Sequence, residues 1–191
     1  MLMQSRAGNP ESMLEMWERG DGDEAGLSLL KAAASAGLVE AQYQMGMLVE
    51  GSEWLEVAAR AGHVKSMLAL AERVDGEEGA EWLKRAASTG EIHAVMALAL
   101  RYQIGGGAIT EDHGRAAELY TLAAERGDAA ARVNLGLCYL GGRGVPRDEE
   151  KGAMHIVQAA ESGFAEAQYI LGTLHMRGVA NVIRDDVYGF R

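Results

Sequence analysis

The chain has 191 residues, of which 48% are hydrophobic and only 6% aromatic, with a formal net charge of −10. That acidic excess argues against a nucleic-acid or anionic-membrane binder, which neutralises phosphates with basic clusters, and a single cysteine, Cys138, excludes an internal disulfide. Abundant Ala and Met with two prolines suit closely packed helices, whereas a β-sandwich draws on more Val, Ile, Tyr and Phe.

In chain order, residues 1–10 lack the apolar core of a signal peptide, and no stretch reaches the length of a membrane span. The expected location is therefore the cytoplasm, a removed leader being the alternative. A first helix is predicted over residues 11–19. The block Ala-Ala-x-x-Gly then recurs five times, closing on Gly37, Gly62, Gly90, Gly127 and Gly163, with steps of 25, 28, 37 and 36 residues. Self-similarity at such periods marks an array of small stacked units. Each block ends a helix. In 81–90, Trp82, Leu83, Ala86 and Ala87 form a helical apolar stripe, and Gly90 is placed to turn left-handed and stop it. These are the B helices. Leu29, Trp54 and Leu119-Tyr120 occupy the corresponding positions before Ala33, Ala58 and Ala123.

A second helix, A, follows each B helix after about three residues. Its signature is two small residues five apart: Ala41 and Gly46, Ser66 and Ala71, Ala94 and Ala99, Ala131 and Gly136, Ala167 and Gly172. The first members step by the same series as the glycines, although different residues define it. Small residues at that spacing predict close helix crossings, at which a Gly that weakens an isolated helix by about 1 kcal/mol is offset by packing. Short connections make neighbouring helices antiparallel. Loops at 103–114 and 141–150, each with a Gly cluster, lengthen two repeats; near-absent loops at 50–52 and 74–76 shorten two others. The repeats run approximately 10–37, 38–62, 63–90, 91–127, 128–163 and a partial 164–191 within a single domain. Trp17 stands where later A helices carry Gly or Ala, as suits a terminal unit, and the tail 180–191 is expected to form an irregular cap.

No constellation predicts chemistry. His63, His93, His113, His155 and His175 lie in different repeats without metal-ligand spacing, so no metal and no cofactor is expected. The stretch 141–145 lacks the lysine and the preceding strand of a phosphate loop. Acidic clusters at 21–24, 75–78, 111–112 and 148–150 all precede B helices, where they cap free N–H groups and complement the helix dipole. Cys138 lies in an apolar helical run with no activating partner, as an inert thiol does. No catalytic residue is proposed.

The paired helices, the period near 36, the run from Ala131 through Leu135-Gly136 and Tyr139, then Gly142-Arg143-Gly144-Val145, Asp148, Lys151 and Ala159-Ala160-Glu161-Ser162-Gly163, together resemble Sel1-like repeats, relatives of the tetratricopeptide repeat. The next unit repeats the pattern with 165–172 and Arg177-Gly178-Val179. The resemblance implies an all-α, right-handed α-solenoid of about five antiparallel helix pairs plus a terminal helix. It also implies an adaptor, scaffold or regulator that grips a protein or peptide, or a dedicated inhibitor such as an immunity protein for a secreted bacterial toxin. By analogy with tetratricopeptide relatives the A helices line the concave face, making Gln42, Gln44, Arg132, Asn134 and Gln168 candidate contacts. Tyr102, Tyr139 and His175 share one A-helix register and are either interface anchors or, as the family pattern suggests, packing between repeats. The acidic clusters suit a partner with a basic surface, and the array ends leave a homodimer open.

Overall fold

The computed structural model describes residues 9–20, 24–49 and 51–176, which fall into two compact units, Met1–Thr89 and Gly90–Arg191. The first unit holds α1 (Pro10–Glu18), α2 (Glu24–Ser35), α3 (Val39–Leu48), α4 (Glu53–Arg60), α5 (Val64–Arg73) and α6 (Gly76–Ser88). The second holds α7 (Ile92–Ile104), α8 (His113–Glu125), α9 (Ala129–Gly141), α10 (Glu149–Glu161) and α11 (Ala165–Met176). Odd-numbered helices are the predicted A helices and even-numbered ones the B helices. Among the described residues no strand occurs; the one irregular pairing is a bridge between Gly106 and Ile109 in the loop before α8. Within each unit every helix packs on its neighbours in sequence. Helices of 8 to 13 residues are marginal alone and draw their stability from such packing.

The Ala-Ala-x-x-Gly block folds as expected, and for a reason visible in its hydrogen bonds. Gly62 takes φ +94° and its N–H donates to Ala59 O, while the His63 N–H donates to Ala58 O. The same doublet closes α2 on Ala33 and Ala34, α8 on Ala123 and Ala124, and α10 on Ala159 and Ala160. The two carbonyls left over at the helix end are thus satisfied by the chain that leaves it. All ten alanines of the five blocks are buried. Their small side chains let the next A helix lie close, and its first small residue (Ala41, Ser66, Ala94, Ala131, Ala167) is fully enclosed every time.

The second small position behaves differently along the chain. A Cβ on Gly46 would meet Leu55 Cγ at 2.6 Å, and one on Gly136 would meet Gly152 O at 2.7 Å. Gly172, expected at an equally tight crossing, is exposed, with nothing among the described residues within 4 Å of a Cβ. The reason is positional: Gly46 and Gly136 face the B helix that follows, and no described helix follows α11. The expected cap at 180–191 lies outside the described residues, as do Arg177-Gly178-Val179 and most of the cluster at 21–24. Trp17 packs onto the cluster of Leu30, Ala33, Ala34, Ala41 and Met45.

Candidate functional site

Each long loop of the second unit returns to the tyrosine at the end of its A helix. The Asp112 N–H donates to Tyr102 O at 2.8 Å, and the Asp148 N–H donates to Tyr139 O at 2.9 Å. The same aspartates cap the following helices, Asp112 Oδ1 accepting from the Arg115 N–H and Asp148 Oδ1 from the Lys151 N–H, both at 3.0 Å. The basic residue of each cap then turns back. Arg115 Nη1 donates to Tyr102 Oη at 3.0 Å, and Lys151 Nζ lies 5.8 Å from the Tyr139 ring centre. Backbone hydrogen bonding to Asp148 holds its carboxyl below the usual range. Asp75 is the N-cap residue of α6 but makes no side-chain cap bond. Tyr102 is buried and Tyr139 half-buried. Both contact the B helix of their own pair, Tyr102 through Arg115 and Tyr139 through His155.

One of the candidate contact residues proves internal, and a second shares its hydrogen bond. Gln42 was expected to offer an exposed amide, but it is buried, and its Nε2 donates to Ala34 O at 3.1 Å. Gln168 repeats that bond to Ala160 O at 3.3 Å, although the rest of its side chain is exposed. In α3 and α11 the residue after the first small position therefore points at the C-terminal carbonyls of the preceding B helix, where a glutamine adds one more bond to an end that needs donors. Gln44 is half-buried on α3, and His175 is exposed on α11. Asn134 lines a small cavity of about 60 Å³ with Gln103, Leu137, Cys138 and Arg143. Burial pushes the Cys138 thiol up, away from the reactive thiolate. Arg132 and Tyr139 line a larger cavity, about 280 Å³, with Leu135, Glu125, His155 and Gln158.

The feature the sequence reading missed is apolar. Leu100 on α7 and Leu137 on α9 stand at the same repeat position, six residues after Ala94 and Ala131, and are 45% and 42% exposed. Ile104, one turn on from Leu100, is 71% exposed. Residues 93, 97, 100 and 104 share one face of α7, and residues 130, 134, 137 and 141 share one face of α9, by helical geometry. Met47 holds that repeat position on α3 and is also exposed. Searching the A helices for polar residues overlooked these positions; comparing equivalent positions across repeats would have found them.

Among the described residues no three His, Cys, Asp or Glu side chains converge as a metal site requires, and no helix is long and apolar enough to cross a membrane. His63 serves structure: its Nδ1 pairs with Ser66 Oγ at 2.8 Å and its Nε2 lies 3.3 Å from Glu40 Oε2.

These features define a helix-pair repeat protein of the α-solenoid class, with side chains at recurring positions along its helices. The sequence model of the Sel1 repeat matches residues 39–63, 69–90, 92–128, 129–164 and 165–191, so the chain belongs to the Sel1 repeat family. Among solved structures, it is similar to a protective antigen of uropathogenic Escherichia coli that displays an SLR fold, at 25% identity and a TM-score of 0.79 over 92% of this chain. This chain spans 43% of the length of that one. It is also similar to a Sel1 repeat protein from Oxalobacter formigenes (24% identity, TM-score 0.71, 90% of this chain and 78% of the other). Cysteine rich protein B of Helicobacter pylori shares the fold at 20% identity and a TM-score of 0.52, covering 71% of this chain and 98% of its own. No curated protein matches the sequence. Sel1-repeat proteins generally act as protein–protein interaction modules and are typically non-enzymatic scaffolds.

Proposed function

We propose that this chain is a non-enzymatic adaptor or regulator that holds a partner protein on the exposed face of its A helices, with Leu100, Ile104 and Leu137 as the apolar contacts and Asn134 beside them. The observation that carries this reading is the repeat of an exposed leucine at one position on α7 and α9. A lone exposed leucine needs no explanation, but recurrence at an equivalent position is how a repeat array presents a continuous binding surface. The net charge of −10 favours a partner whose surface is basic overall, through steering of the encounter. The cytoplasm is the proposed setting.

The test places a photo-crosslinking amino acid at Leu100 or Leu137, and as a control at Leu122, an exposed leucine on the B helix α8. Discrete adducts from the first two sites and none from Leu122 are expected after irradiation in the native cell. Equal yields from all three, or none from any, would discard the assignment. One stoichiometric adduct points to a dedicated inhibitor, and several point to an adaptor.

A further inference from the structure

We propose that the cavity of about 280 Å³ where α8, α9 and α10 meet binds an aspartate or glutamate side chain of the partner, held by the Arg132 guanidinium and the His155 imidazole. This rests on the reading of the chain as an interaction module and gives that reading a chemical anchor.

Two neighbouring positions break the repeat pattern together there. Arg132 occupies the place at which Gln42 and Gln168 bond to the preceding helix end. Among the described residues its guanidinium makes no hydrogen bond or ion pair, and it faces the cavity. His155 occupies the place held by Leu29, Trp54, Trp82 and Leu119 in the other B helices. Its ring lies flat against that of Tyr139, with centroids 5.8 Å apart and planes 7° from parallel, and its enclosed Nδ1 has no hydrogen-bond partner. An enclosed lone pair is less costly to leave unpaired than an enclosed N–H, which assigns the proton to Nε2 and makes that edge a donor. A guanidinium and an imidazole N–H around one cavity are complementary to a carboxylate.

The rest of the lining selects among anions. Glu125 sits on the same cavity and repels an anion in proportion to its charge, so a single carboxylate fits better than a phosphate dianion. Leu135 and the Tyr139 ring supply apolar wall that the methylene groups of an acidic side chain cover and a chain terminus does not.

The site is tested on the full chain, in the absence of any partner, by NMR titration with N-acetyl-glutamate N-methylamide, which carries the side-chain carboxylate and no terminal charge. Saturable shifts of the Arg132 Hε and His155 ring resonances are expected, with affinity about millimolar for so small a probe. Arg132→Gln and His155→Leu, each the residue type other repeats use, should weaken binding by roughly tenfold or more while circular dichroism stays helical. The proposal is overturned by an absence of shifts, or by equal shifts with the N-acetyl-glutamine N-methylamide control. Tighter binding of N-acetyl-glutamine with a free terminus, or of inorganic phosphate, overturns it in favour of a chain end or a phosphate. Loss of the crosslinks at Leu100 and Leu137 with probe binding intact would instead remove the docking surface and leave this site standing.

Discussion

Gly136 on α9 and Gly152 on α10 face each other so closely that each occupies the space of the other's missing side chain. A Cβ on Gly136 would lie 2.7 Å from Gly152 O, and a Cβ on Gly152 would lie 2.8 Å from Gly136 O. Because the opposing atoms are backbone, neither helix can give way by rotating a side chain. That crossing fixes α9 against α10, and with it the position of Tyr139 over His155.

Gly136→Ala should therefore destabilise the second unit. Overpacking of this kind costs about 1–3 kcal/mol, against a helix-propensity gain of about 1 kcal/mol. Gly172→Ala carries the same propensity gain with nothing among the described residues within 4 Å to oppose it, so it should raise the melting temperature. Thermal unfolding followed by circular dichroism checks both, and a Gly136→Ala protein that gains as much as Gly172→Ala would refute the close crossing.

The loop glycine Gly144 combines φ +72° with a hypothetical Cβ only 1.9 Å from His113 O, whereas Gly127 has φ +93° and open space around it. Gly127→Ala should cost the left-handed penalty of about 1–2 kcal/mol. Gly144→Ala should cost clearly more, because it also drives the 142–148 loop off the start of α8. Denaturant midpoints of the two variants provide the comparison.

His155 titrates below its ordinary value of 6.5, chiefly because burial disfavours the charged ring, with Arg132 adding repulsion. A depressed folded value means that the unfolded chain takes up the proton first. The penalty is absent above 6.5 and grows as the pH falls below it. Wild type should therefore lose melting temperature relative to His155→Leu between about pH 7.5 and 5.5. A constant difference across that range would mean that the ring is not desolvated.

Asp148 is depressed in the same sense for another reason, the backbone N–H of Lys151 favouring its ionised form. Its contribution is fully present above the ordinary value of 3.8 and is lost as the pH falls through the folded value. Asp148→Asn keeps a capping oxygen but not the charge. The stability advantage of wild type over Asp148→Asn, measured by urea unfolding, should be present near pH 6 and shrink in acid.

Much of this molecule is legible in the order of its residues. The ends of the B helices, the enclosed alanines and the N-capping aspartates at 112 and 148 follow from local rules: helical period, a glycine free to turn left-handed, and an oxygen set beside unbonded N–H groups. The opposite glycines were legible only in part. Gly136 belongs to the five-residue spacing of the A helices, while Gly152, like the buried Gly26 and Gly79, stands seven residues before its Ala-Ala pair, a spacing that has meaning once the partner helix is in place. The polar candidates diverged most. Gln42 looks like any surface glutamine in sequence, yet it points at a helix end, and Arg132 at the same repeat position does not.

The sequence by itself determined the array of helices and its register, since both depend on residues a few places apart along one chain. The tertiary structure decided which side chains meet a neighbouring backbone, which leucines reach solvent, and that Arg132 and His155 share a cavity. Those outcomes depend on how helices from different repeats pack, and the direction of a side chain around a helix axis acquires a consequence only when a second helix is there to cover it or leave it bare.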